Sequence, residues 1–109
     1  EEIFAMKKKK LYNDLKAYLR GELLRCRAAL NIPQEEMAHR LLMSTRAYSA
    51  LESGKSCCSL ITAFLFFSRC CLDQAAFLDG ILRILELLNE TGLISSSAWI
   101  QGMYILPAA

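Results

Sequence analysis

The stretch from Gln34 to Lys55, QEEMAHRLLMSTRAYSALESGK, constrains the fold more tightly than any other part of the chain. Met37, Ala38 and Leu41 repeat at a spacing that places them on one side of a helix opened by Gln34. Leu42-Met43-Ser44 interrupts that spacing. Ser44 is suited to cap a second helix, because its hydroxyl can accept from an amide that the first turn leaves without a partner. Tyr48 and Leu51 form the inward pair of this second helix, and Gly54 stands where a left-handed residue ends it. Two helices joined this closely form the geometry that carries the second into a DNA major groove.

The pattern resembles the XRE, or phage Cro and repressor, family of helix-turn-helix domains. The residues that carry the resemblance are Gln34 at the start of the family's second helix, Ala38 on its packed face, Ser44 before the recognition helix, and Leu51-Glu52-Ser53-Gly54-Lys55 after it. The family also carries an arginine near the end of its first helix that pairs with the glutamate of Leu-Glu-x-Gly; here these are Arg27 and Glu52. The resemblance covers about residues 19 to 72. Two positions depart from it. Pro33 replaces the usual capping Ser or Thr, and Leu42 stands where the turn usually has Gly, so a positive φ there would cost about 1 kcal/mol.

At 109 residues the chain has room for one domain. A hydrophobic fraction of 54% argues against disorder and is high for a small monomer, which a buried dimer interface would explain. Net charge is only +2, so any basic footprint is local rather than global. The most apolar run, Cys57 to Phe67, is too short to span a membrane and is ended by Ser68-Arg69. Lys7 to Lys10 is followed by polar residues rather than by the apolar core of a secretory signal. The chain opens on Glu1 rather than Met, and Met6 is a candidate start.

Five cysteines, an odd number, favour reduced thiols in a cytoplasmic protein. Cys57-Cys58 and Cys70-Cys71 lack zinc-site spacing. They also bracket a helix whose ends are roughly 20 Å apart, beyond the reach of one ion. Together with Cys26 they read as small buried or half-buried apolar residues. No metal and no cofactor is expected.

The whole reads as five helices, an all-α, lambda-repressor-like domain with an extended first helix and a C-terminal tail. Leu11, Leu15, Leu19, Leu23 and Cys26 mark a first helix over about residues 8–30, with a candidate break at Gly21. Asn31 sits where a left-handed residue closes it. Ser56 or Ser59 can cap a fourth helix that runs through Leu60, Ile61, Phe64, Leu65, Phe67 and Cys71. A fifth begins at Asp73 and ends near Asn89 to Gly92, and its apolar residues occupy two faces. The second face, with Ile84, Leu87 and Leu88, is the expected homodimer interface. Residues 1–18 are then an N-terminal extension, 19–92 the domain, and 93–109 a tail that reads as an arm docked on its own subunit, a disordered end, or an arm crossing a dimer with Trp99, Met103 and Tyr104 as anchors.

By resemblance, Thr45, Arg46, Ser49 and Ala50 lie on the recognition helix. Arg46 is the strongest base reader, because a guanidinium can bond guanine O6 and N7 together. Gln34 corresponds to a side chain at the DNA backbone, and Lys55 fits a second phosphate contact. Arg27 and Glu52 would fix geometry rather than read sequence. The expected partner is double-stranded DNA, bound by a homodimer without membrane association. No nucleophile-base pair or phosphate-binding glycine loop points to an enzyme. The competing reading is a protein-interaction module of antitoxin type, which binds a partner through the fifth helix and tail.

Overall fold

The computed structural model describes residues 2–89 of the chain, with side chains through Leu87. Five helices follow one another: α1 (Glu2–Leu30), α2 (Gln34–Arg40), α3 (Thr45–Glu52), α4 (Leu60–Arg69) and α5 (Gln74–Asn89). No strand occurs among the described residues. No helix there is long and apolar enough to cross a membrane.

The helix ends follow from local chemistry. Asn31 closes α1 at φ 54°, a conformation Asn accepts more readily than most residues. Pro33 opens α2 without a side-chain cap. The Ser44 hydroxyl accepts from the Ala47 amide at 3.1 Å, and Ser59 does the same for Thr62 at 3.1 Å. The Asp73 carboxylate accepts from the Ala76 amide at 3.0 Å at the start of α5. Gly54 ends α3 with φ 81°, and the Lys55 amide behind it donates back to the Ala50 carbonyl at 2.9 Å. Leu42 does take the left-handed conformation in the turn, at φ 56°.

Two expectations from the sequence, both for the first helix, are corrected. The first helix starts at Glu2 rather than near residue 8 and runs through Gly21 without a break. A helical glycine costs about 1 kcal/mol, and the docking of α5 along α1 on the N-terminal side of Gly21 offsets that cost. Tyr18 stacks on Phe77 with ring centres 5.7 Å apart, and its hydroxyl donates to the Phe77 carbonyl at 2.9 Å. A side chain at Gly80 would collide with the Tyr18 ring, since a Cβ there would fall 2.2 Å from its hydroxyl oxygen. Glycine thus permits the close crossing.

On α4, Leu60, Ile61 and Phe64 are 70%, 72% and 64% exposed. Phe66 and Cys70 enter the core instead, with Leu65 and Phe67 partly buried beside them. Nearly every residue from Leu60 to Phe67 is apolar, so spacing alone could not choose the buried side. The Phe66 ring meets Phe77 edge-on at 5.3 Å, which sets the rotation of α4. The core is completed by Leu23, Cys26, Met37, Ala38, Leu41, Tyr48 and Leu51.

Candidate nucleic-acid interface

A single carboxylate ties three helices together. Glu52, 5% exposed, ends α3 and accepts four hydrogen bonds. Arg27 of α1 grips it in two places, Nε to Oε2 at 2.5 Å and Nη2 to Oε1 at 3.1 Å. The Tyr48 hydroxyl donates to Oε2, and Gln34 Nε2 at the start of α2 donates to Oε1 at 2.9 Å. Both oxygens are thereby filled, as a buried carboxylate requires. Arg27 spends a further N–H on the Ile32 carbonyl at 3.1 Å, and Arg20 Nε reaches the Glu52 backbone carbonyl at 2.5 Å.

The electrostatics match this geometry. Burial pushes the Glu52 carboxyl upward, but the hydrogen bonds from Arg27, Tyr48 and Gln34, with the Arg27 charge, outweigh it and hold the group below the usual range. The hydrogen bond to Glu52 raises Arg27. Burial, and then the hydrogen bond to Glu52, raises Tyr48, so its hydroxyl remains a donor across the ordinary pH range. The recognition helix is held against α1 and α2 by charge-assisted bonds at its C-terminal end.

At the other end of α3 the side chains point outward. Thr45, Arg46 and Ala47 are exposed, and Ser49 and Ala50 are half-buried. Lys55 is exposed just beyond the helix. Arg46, Ala47 and Ala50 border a shallow groove of about 500 Å³, whose other wall is made by Ser56, Ser59 and Thr62. Gln34 is half-buried, and one of its two amide N–H groups is already committed to Glu52. Arg40 pairs with Glu36 at 3.2 Å and is not gathered with the exposed side chains of α3.

Sequence reasoning missed two members of this arrangement. Tyr48 was read only as a core residue, although its spacing to Glu52, one helical turn, was the signal that its hydroxyl could reach the carboxylate. Arg20 was not singled out; it stands seven residues before Arg27 and therefore on the same side of α1. Among the expected dimer residues, Ile84 is half-buried and Leu87 is 57% exposed, while the Leu88 side chain lies outside the described residues. So do Trp99, Met103 and Tyr104 of the tail.

The cysteines are free: Cys26 and Cys70 are buried, and Cys57, Cys58 and Cys71 half-buried. Burial raises Cys70 and Cys71 and pushes Cys58 up to about 11, which keeps these thiols protonated and unreactive. No group of three or more His, Cys, Asp or Glu side chains among the described residues is placed to hold a metal ion.

A short capped recognition helix, outward polar side chains at its start and a carboxylate-locked end define a DNA-binding helix-turn-helix protein. Residues 23–66 match the family model described as Helix-turn-helix, and this part of the chain is a helix-turn-helix domain of the XRE type. No curated protein and no solved structure matches the chain.

Proposed function

We propose that this DNA-binding regulator is a transcriptional repressor that acts in the cytoplasm as a homodimer on a palindromic operator, without catalytic activity. The observation that carries the reading is the contrast between the two ends of α3. Its C-terminal end is fixed by Glu52, while Thr45 and Arg46 at its start stand free in solvent. A helix so held can present side chains to base edges with little ordering cost. Arg46 reads guanine, Thr45 contacts a neighbouring base edge, and Ser49 and Ala50 lie one turn further along the groove. Lys55 and the remaining N–H of Gln34 set register on the phosphates. Ile84, Leu87 and Leu88 of α5 join the two subunits, so that two recognition helices meet half-sites about one DNA turn, or a multiple of it, apart.

A genome-wide DNA pulldown with the purified protein tests this reading. A recovered palindromic site close to a promoter supports it, and recovery of no common sequence overturns it.

One observation favours a second reading, an antitoxin-type module that binds a partner protein. Leu60, Ile61 and Phe64 form an exposed apolar face on α4, and apart from Arg46 the recognition helix carries no basic side chain. A small toxin reading frame beside the gene, together with a stable complex of the two products, would move the weight to this reading.

A further inference from the structure

We infer that the N-terminal half of α1 is a second DNA-backbone contact, made by Lys9, Lys16 and Arg20 beside Lys55. The inference rests on the DNA-binding reading and extends it beyond the residues that the family model covers.

The row is set by helix geometry. Lys9, Asn13, Lys16 and Arg20 follow one another at four-, three- and four-residue steps, which keeps them within one narrow face of α1. Arg27 continues that face and is the residue that grips Glu52. Contacts at two points fix where the face looks. Arg20 Nε bonds the Glu52 carbonyl, and the Arg20 side chain passes Gly54, with its Cδ 3.6 Å from where a Cβ would stand. Two turns earlier, Tyr12 lies beside Cys57, whose thiol raises the Tyr12 phenol. The segment from Glu52 to Cys57, Lys55 included, therefore runs along α1 between Arg20 and Tyr12. Lys16 stands midway between those two contacts, four residues from each.

The charge on this row is available to a partner. Lys9 and Arg20 are exposed, Lys16 is half-buried, and none of them forms an ion pair among the described residues. Lys10, on a neighbouring face, is taken by Asp14 at 2.9 Å. On this face of α1 the acid among the described residues is Glu2, roughly 10 Å beyond Lys9 along the helix. The Glu52 carboxylate is filled by Arg27, Tyr48 and Gln34. Cations spread along a helix at about 5–6 Å per turn, with no acid between them, fit a row of phosphates. They do not fit a compact anion, because Lys9 and Arg20 stand eleven residues apart, roughly 16 Å along the helix.

The salt dependence of binding to a mixed-sequence duplex of about 30 base pairs tests the inference, because each phosphate contact contributes about 0.9 to the slope of log affinity against log salt. Full-length chain carrying Lys9→Gln with Lys16→Gln is compared with chain carrying Lys7→Gln with Lys10→Gln. The second pair removes the same charge from outside the row. The expected result is a slope flatter by about 1.8 for the first pair and nearly unchanged for the second, with base preference the same in both. Equal flattening by the two pairs would reduce the effect to overall charge and overturn the contact, as would an unchanged slope for the first pair. Parent protein that binds no duplex at low salt would overturn the DNA-binding reading itself, a distinct result from parent protein that binds with the slope of the variant.

Discussion

The helix-turn-helix and the two helices that follow it use apolar residues in opposite ways. In α2 and α3, Met37, Ala38, Leu41, Tyr48 and Leu51 all turn inward, and no buried side-chain nitrogen or oxygen among the described residues lacks a partner. In α4, α5 and the link between them, Phe66 and Phe77 are buried, but Leu60, Ile61, Phe64, Leu72, Leu78 and Leu87 face solvent. Burying one such side chain is worth about 1.5–3 kcal/mol, and grouped exposure of this kind marks an interaction surface. The difference separates two tasks. The first region is closed upon itself by a polar network and has only its outward side chains to offer DNA. The second region keeps these apolar side chains exposed among the described residues, and we propose that they meet a protein surface.

The most damaging test of this division is aimed at the polar network. Arg27→Met leaves Glu52 buried with only Tyr48 and Gln34 as donors, and is expected to destabilise the fold by about 3 kcal/mol, the low end for a broken buried pair because those two donors remain. Adding Glu52→Leu should return much of the loss. A thermal melt in which the single variant equals the parent would remove the network as the lock on α3. Acid provides a parallel check. Glu52 is depressed in the folded state, so its stabilisation is complete above the ordinary glutamate range and is lost as pH falls through the depressed value.

Next in size is the open region. Leu87→Glu places a charge on the exposed face of α5 and is expected to yield monomers with helical content intact. Affinity for a palindromic site should fall about 100-fold, the loss of the second, tethered half-site contact. Sedimentation showing the parent monomeric at tens of micromolar would shift the exposed surface from self-association to a different partner.

A smaller effect separates reading from holding within the residues proposed to meet DNA. Arg46→Ala should cost about 1–3 kcal/mol on the preferred sequence and relax one base position per half-site. Lys55→Ala should weaken all sequences alike and flatten the salt slope by about 0.9. Binding assays on single-base operator variants distinguish the two, and unchanged preference in Arg46→Ala would take base reading away from that residue.

The same contrast explains what could be read in the sequence. The helix-turn-helix was legible because its ends are marked by residues with one job each: Ser44 caps, Asn31 and Gly54 turn left-handed, and the apolar spacing between them is unambiguous. The frame was less legible because its geometry is decided at a distance. Gly21 looked like a break until Tyr18 and Phe77 pinned α1 to α5, and the run from Leu60 to Phe67 offered apolar residues in every direction. In the site, Arg46 and Lys55 could be picked out through the family resemblance, and both are exposed. The tie between Gln34 and Glu52 could not, since it depends on how α2 packs against the end of α3.

The smallest effect concerns the turn between the two short helices, where the chain departs from the family it resembles. Leu42 adopts φ 56° with its side chain largely in solvent, so it bears left-handed strain and gains little burial in return. Its amide and that of Met43 donate to the His39 and Ala38 carbonyls at 3.1 and 3.0 Å, and these bonds hold the residue in place. Glycine at this position would keep both bonds, remove the clash of Cβ with the backbone, and lose only exposed surface. Against this stands the larger entropy that glycine gives the unfolded chain. The strain is the larger of the two for a leucine, so Leu42→Gly is expected to stabilise the fold by about 0.5–1 kcal/mol. That corresponds to a rise of a few degrees in Tm, about 4–8 °C per kcal/mol for a domain of this size. Asn31→Gly, at φ 54°, serves as the internal comparison and should gain less, because asparagine already tolerates this conformation. A Leu42→Gly protein that melts at or below the parent temperature would mean that the leucine side chain holds the turn through contacts worth more than its strain. The helix-turn-helix would then be less self-contained than its inward-facing core implies.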